Sequence, residues 1–416
     1  MNLRLRSEPE CGGSELSNLR VLGDYVELVR GKTYKGSLVG APGPALLGLG
    51  SIVPGGGFRH DFKTYGGECP AELMLEPGDL YVSLKGATKD GEMIGSVARL
   101  PGSVPSGRLT QDTVRLVFRE RNPAIENYVY WLLRTPAYRA YCAGRATGSA
   151  VVALSRSDFL SYPVPALTEA RTRVVSVLEF LDDKIESNRR VVHQSLELLD
   201  ALAEAHCSSV PTTPLGSLSG LTRETVSPAA LGDAVVDHYS LPAFDSSGRP
   251  ERVPASTIKS NKIGLSGTRL LVSRLNPRTS RTWWAVPNGA SGALASPEFA
   301  VLSAPTDVEL ASIWLAVRHP LFLEELPRRA TGTSGSHQRV RPDDMLAIVV
   351  PDVRQIDEAI KETSLNLLRV AHQRREESAR LSDLRDSLLS ELLSGGICVP
   401  EAADVVQDVV DESESA

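Results

Sequence analysis

A chain of 416 residues is long enough for two or three domains, each able to bury its own core. Its hydrophobic content of 42% and charged content of 23% are ordinary for a globular protein, and neither a membrane-length apolar run nor a signal peptide is present, which points away from a membrane and toward the cytoplasm. The net charge of −6 argues against a nucleic-acid partner only until it is divided: residues 1–165 carry 19 basic and 16 acidic side chains, 166–207 carry 5 and 8, 208–351 carry 14 and 12, and 352–416 carry 7 and 15. The globular stretches are therefore mildly basic, which permits phosphate contact without demanding it.

Five cysteines, at 11, 69, 142, 207 and 398, form no CxxC pair. That argues against a disulfide framework and a structural zinc site, and for incidental thiols in a reducing compartment.

Residues 1–166 read as a mixed α/β globule of short strands and long loops, punctuated by Val53-Pro54-Gly55-Gly56-Gly57 and Pro101-Gly102-Ser103-Val104-Pro105. Leu80-Tyr81-Val82-Ser83 has strand composition, and Tyr130-Trp131-Leu132-Leu133-Arg134-Thr135-Pro136 is an aromatic and aliphatic helix stopped by proline. Arg145-Ala146-Thr147-Gly148-Ser149 follows, then Asp158, an apolar segment to Val164, and Pro165.

From Thr168 to about His206 the period becomes helical, without Gly or Pro. Positions 171, 174, 178, 181, 185, 188, 192, 195, 199 and 202 step by three and four, and seven of the ten are Val, Leu or Ile, a coiled-coil stripe. Such a helix spans about 58 Å. Spacer and linker occupy 167–210.

Residues 211–351 form a second globule that repeats the first. Arg329-Ala330-Thr331-Gly332-Thr333 restates the loop at 145–149 after 184 residues, Trp314-Leu315-Ala316-Val317-Arg318-His319-Pro320 restates the helix, and Leu270-Leu271-Val272-Ser273 restates the strand. Asp344 and Pro351 restate Asp158 and Pro165 at an offset of 186. Two copies are too few for a solenoid, so a whole domain plus its helix is duplicated. A second helix is expected over 352–397, from about Asp352 to Leu393, with Val353, Ile356, Ile360, Leu367, Val370, Leu381, Leu384 and Leu388 continuing the stepping and Gly395-Gly396 capping it. The acidic tail 398–416 reads as disordered.

The order globule, helix, globule, helix predicts antiparallel helices about a pseudo-two-fold axis near Asn188 and Arg374. Val174 should face Leu388, Leu181 face Leu381, and Leu202 face Ile360, with polar Asn188 and Arg374 fixing register at the centre. The fold class is thus α/β: two pseudo-two-fold-related mixed α/β domains separated by two long antiparallel coiled-coil helices.

Catalytic signatures are missing. Gly31-Lys32-Thr33 resembles the end of a P-loop, but Val26 stands where the earlier glycine is required. No GxSxG, HExxH or fitting GxGxxG occurs, nor an Asn-Pro-Pro-aromatic tetrapeptide for amino-group methylation. Asp343-Asp344 and Asp182-Asp183-Lys184 read as solvated faces rather than a nuclease cluster, and the seven histidines make no ligand spacing.

What remains is repeated polar surface. Arg145 and Arg329, with Ser149 and Thr333, sit in equivalent loops where a guanidinium can reach a phosphate or base edge, or can simply end a helix in an ion pair. Arg274, Asn276, Arg278 and Arg281 precede Trp283 and Trp284, in a stretch that suits DNA contact although both tryptophans fit a core equally well. His337, Gln338 and Arg339 follow the second repeated loop; Lys85, Lys89 and Arg108 are the candidates in the first half.

The chain resembles the specificity (S) subunit of type I restriction-modification systems over nearly its whole length. The resemblance rests on the duplicated layout, on His238-Tyr239-Ser240-Leu241-Pro242-Ala243-Phe244-Asp245 with Ile258-Lys259-Ser260-Asn261-Lys262 and Leu275-Asn276-Pro277, and on the closing Leu384-Arg385-Asp386-Ser387-Leu388-Leu389-Ser390-Glu391-Leu392-Leu393-Ser394-Gly395. The first half departs from the pattern, having no Ser-Asn-Lys segment. The resemblance implies two target-recognition domains, each reading half of a split sequence in double-stranded DNA, and helices that act as a ruler and dock two methyltransferase (M) subunits, to which a restriction (R) subunit can add. S-adenosylmethionine, ATP and magnesium would then belong to those partners and not to this chain. Two rivals stand beside this reading: a non-catalytic two-armed protein-binding scaffold, and a nuclease or methyltransferase in its own right.

Overall fold

The computed structural model describes residues 20–86, 92–148, 152–288, 292–331 and 338–392. Gly395, Gly396 and the acidic tail expected to be disordered lie outside them. Packing divides the chain into two units, one running to Asp183 and resuming at Leu381, the other Lys184–Arg380. Both divisions fall inside a long helix, Glu169–Cys207 or Glu358–Leu392, and not at the helix ends where the sequence changes period. Each helix is gripped by different partners along its length. In the first unit Glu179 receives the Arg99 guanidinium at 2.7 Å and the Trp131 indole N–H; in the second, Asp200 receives Arg318 at 2.6 Å.

The first unit is built on an antiparallel sheet in the order Val26–Arg30, Thr113–Phe118, Leu80–Ser83, Val97–Arg99. Helices Pro123–Leu132 and Pro136–Arg145 follow, each with proline in the first turn and a side chain, Asn122 or Thr135, capping the free N–H groups. A three-stranded sheet, Ala45–Leu47, Gly107–Leu109, Met74–Leu75, carries the lower core with Ile52, Tyr81 and Leu100.

The second unit repeats the four-stranded sheet and the helix pair that follows it. Its sheet runs Gly220–Leu221, Phe299–Ser303, Arg269–Ser273, Thr282–Ala285, and helices Asp307–Arg318 and Pro320–Arg328 come next. The other sheet is where the halves diverge: in place of three strands the second unit has five, Thr225–Val226, Lys262–Leu265, Gly292–Ala295, Val235–Tyr239 and Glu251–Pro254, one pair parallel as in the first half. The Ser-Asn-Lys segment missing from the first half leads into one of these strands. Each module closes on itself before its long helix: Arg20–Val21 pairs with Pro163–Val164, and Thr212–Pro214 with Val349–Pro351.

The long helices pack antiparallel. In the second unit Lys184 meets Glu377 at 3.4 Å, while Leu199 and Ala203 share a core with Leu365 and Leu368. In the first unit Asp182 meets Arg385 at 2.7 Å, and Val174, Leu181, Leu381 and Leu388 are all buried. Leu202 and Ile360 are partly buried against the common core.

Two expectations about the second helix are corrected. It begins at Glu358 and not at Asp352, because Asp352 caps a single 3₁₀ turn, Val353–Gln355, and Asp357 accepts the Ala359 N–H. That extra turn delays the repeat, so the burial pattern of residues 171–178 recurs at 361–368. The buried stripe is consequently Ser364, Leu365, Leu368 and Ala371, whereas Val370 is exposed. Small Ser364, whose hydroxyl donates to the Ile360 carbonyl, and Ala371 do not announce themselves in an apolar count. For the same reason the buried polar residue accompanying Asn188 is Glu377; Arg374 stands half-exposed beside it and donates to it at 2.6 Å. Burial pushes the Glu377 carboxyl up, but Arg374 and Lys184 pull it below the ordinary value.

Leu181 of the first long helix is completely buried, so Leu181→Ala should cost about 2–5 kcal/mol, read as a lower urea midpoint. Burial pushes His372 below its ordinary value despite Glu376 beside it, with Arg375 and Arg249 acting in the same direction as burial. A group whose folded value is depressed contributes stability that is present above its unfolded value and lost as pH falls. Melting temperature should therefore drop as pH falls from about 7 to 5, and less steeply in His372→Gln.

Candidate nucleic-acid interface

Both modules bring two loops together by the same hydrogen bonds. In the first, the Ser83 hydroxyl donates to the Lys85 carbonyl at 2.6 Å, the Gly86 N–H to Val152, the Leu154 N–H to Leu84, and Thr147 and Ala153 exchange a pair. In the second, Ser273 donates to the Leu275 carbonyl at 2.9 Å, the Asn276 N–H to Gln338, the Val340 N–H to Arg274, and Thr331 and Arg339 exchange a pair. The loop that leaves the central strand is thus stitched in each case to the loop that carries the repeated Arg-Ala-Thr-Gly sequence.

In the second module the basic residues sort sharply. Arg274 donates to the Val340 and Pro297 carbonyls at 2.9 and 2.8 Å, and burial pushes its guanidinium down. Arg281 forms a two-bond fork with Asp245 at 2.6 and 2.9 Å, and Arg339 a similar fork with Glu298 at 3.0 and 2.6 Å. Arg329 ends its helix and bonds Glu325 at 2.8 Å, the helix-terminus reading of the repeated loop. Arg278 is exposed, and Gln338 is half-exposed. Asn276 is the one non-glycine among the described residues with a left-handed backbone, at φ 49°. Trp283 and Trp284 belong to the core, at 2% and 4% exposure, as does the strand that carries them.

In the first module Lys85 pairs with Asp112 at 3.1 Å and stays partly exposed. Arg145 is exposed at the end of its helix, its guanidinium 3.9 Å from the Tyr141 ring centroid. Arg108 is the residue whose placement departs most from a DNA-contacting role: it is 4% exposed, lies over the Tyr65 ring, and donates to the Glu68, Leu109 and Thr33 carbonyls. It holds three chain segments together. Lys89, Ser149, Thr333 and His337 lie outside the described residues.

Sequence reasoning missed the carboxylates that hold these arginines. Asp245, Glu298 and Asp200 are scattered singly, and only the fold brings each opposite a guanidinium. The carboxylates weighed as a nuclease cluster are engaged elsewhere, Asp343 with Arg223 and Asp182 with Arg385. Among the described residues no group of His, Cys, Asp or Glu is arranged to hold a metal ion, and no helix is long and apolar enough to cross a membrane. Burial pushes the free Cys207 thiol up to about 11 and raises that of Cys142, as inert core thiols require.

The chain shares its fold with the type I restriction-modification system S subunit from M. genitalium, at a TM-score of 0.53 and 13% identity over 90% of this chain and 96% of that one. The HsdS subunit from Thermoanaerobacter tengcongensis aligns over 91% of this chain and 97% of its own, at 14% identity and a TM-score of 0.30. A chain from a structure concerning complex assembly and conformational transition of the type I R-M system aligns over 91% and 98%, at 15% and 0.31. No known family pattern and no curated protein matches the sequence.

The left-handed backbone at Asn276 sets a local test. Asn276→Gly should be tolerated better than Asn276→Val, whose β-branched side chain should lower stability by about 1–2 kcal/mol through the backbone alone, measured by denaturant unfolding.

Proposed function

We propose that this chain is the DNA sequence-recognition subunit of a type I restriction-modification complex. Each module reads one half of a bipartite target in double-stranded DNA, and the helices serve as ruler and as dock for two methyltransferase subunits, to which a restriction subunit adds. One observation carries the reading: the same pair of stitched polar loops recurs in both modules of a chain that shares the S-subunit fold over nine-tenths of its length. Loops on a rigid scaffold are where recognition is usually placed. The chain itself performs no chemistry on this reading. S-adenosylmethionine, ATP and magnesium act on the partner subunits, in keeping with a sequence that carries none of the usual catalytic motifs, and the complex works in the cytoplasm.

Few guanidinium groups in the second module's loops are free, so grip on the phosphates falls largely to the assembled complex while this chain supplies readout. Purified with its methyltransferase, the chain should retard a duplex in a sequence-dependent and salt-sensitive way. Exchanging residues 211–351 for the corresponding segment of another S subunit should change one half of the methylated sequence, mapped in host DNA, and leave the other intact. Retardation indifferent to sequence would favour a two-armed protein-binding scaffold, and methylation or cleavage by the chain alone would overturn a non-catalytic role.

A further inference from the structure

The segment Ser273–Arg281 of the second module is a short projection held rigid from below. At its base the Ser273 N–H bonds the Arg281 carbonyl at 2.9 Å and the Arg274 N–H bonds the Glu298 carbonyl at 2.8 Å. Its far side is stitched to the neighbouring loop through Asn276 and Gln338. The tip is a β-turn, closed by the Thr279 N–H on the Asn276 carbonyl at 2.9 Å, with Pro277 buried in its second position and Arg278 exposed in its third. Asn first and Pro second is the composition that such a turn prefers. The left-handed backbone of Asn276 redirects the chain into the turn. Beyond the tip, the Ser280 hydroxyl accepts from Arg318, whose fork grips Asp200 on the first long helix at 2.8 and 2.6 Å.

Of the three arginines in this segment, two are structural: Arg274 is bonded to carbonyls and Arg281 is neutralised by Asp245. Arg278 makes no hydrogen bond or ion pair among the described residues. A phosphate-gripping surface presents several free cations together. This tip presents one planar guanidinium among hydroxyl and amide groups, on a backbone already fixed. A guanidinium carried on that fixed backbone has the two-donor fork that matches the paired acceptors O6 and N7 of guanine.

We propose that Arg278, held at the apex of the Asn276–Thr279 turn, reads a guanine edge in the half-site of the second module. The inference rests on the proposed DNA-recognition function and assigns one specificity-determining contact within it.

The test uses the full chain in complex with its methyltransferase. Binding to the mapped target is compared with binding to duplexes substituted at each guanine of either half-site, across a salt series, for the unaltered chain, Arg278→Ala and Arg278→Lys. In the unaltered complex, substituting one guanine of the second half-site should weaken binding by about 10- to 100-fold. With Arg278→Ala that penalty should vanish at that position alone, with the first half-site read as before and the salt dependence unchanged. Arg278→Lys, which keeps the charge without the fork, should lose most of the same discrimination.

Three outcomes would overturn the assignment. Uniform weakening on all sequences, with the salt slope reduced by about one in Arg278→Ala and restored by Arg278→Lys, would make Arg278 a phosphate contact. No effect of either variant would show that the tip does not touch the base. If the unaltered complex itself binds without sequence preference, the functional reading fails as well. Methylation mapping with Arg278→Ala adds a readout that loss of folding would not mimic: modified sites should persist, with degeneracy at one position of one half-site.

Discussion

Long helices that leave the globule they start from must find something else to cover their apolar stripe, and that requirement governs the molecule. The buried face that runs from Val174 to Ala203 is longer than one small sheet can shield. The second helix supplies the cover, with Leu365, Leu368, Leu381 and Leu388 turned inward. Hydrophobic burial has little directional preference, so orientation comes from charge pairs set among the apolar layers. Lys184 with Glu377 and Asp182 with Arg385 fix the antiparallel register, while Glu179 and Asp200 each fasten a globule's own elements to the rod. Such half-buried pairs contribute modestly to stability, and breaking one partner leaves a poorly solvated charge; register is what they specify best.

Much of this plan is legible in the chain. The Arg-Ala-Thr-Gly repeat and the proline-stopped helices announce duplication, and the first helix's stripe is plain because it is written in Val, Leu and Ile. The second helix is harder to read, since its inner face includes Ser364, Ala371 and Glu377, residues that no apolar count selects. The extra turn at Val353–Gln355 is hidden because Val353 and Ile356 continue the period while the backbone does not. Divergence between the halves is visible as a missing motif, but its structural meaning, a five-stranded sheet against a three-stranded one, requires long-range pairing.

The candidate site is harder still. Basic residues in a polar loop look alike in sequence, and what separates Arg278 from Arg274, Arg281 and Arg339 is a set of partners remote along the chain: Pro297, Asp245, Glu298. Arg108, the most deeply buried of the candidates, shows the same principle in reverse, for a guanidinium with five donors can knit carbonyls as well as it can greet a phosphate. Net charge is equally uninformative until those pairings are known.

Short strand pairs sit at the foot of each module. Arg20–Val21 lies against Pro163–Val164, and Thr212–Pro214 against Val349–Pro351, so a module's first and last residues are neighbours. Its entry and exit form a single seam. A genetic crossover with breakpoints on either side of that seam would deliver a complete, self-closed module onto unchanged helices, and moving the chain's termini into the Ser208–Pro211 connection would leave both seams intact. Each module can therefore be exchanged as a cassette, because its own strands close before its long helix begins.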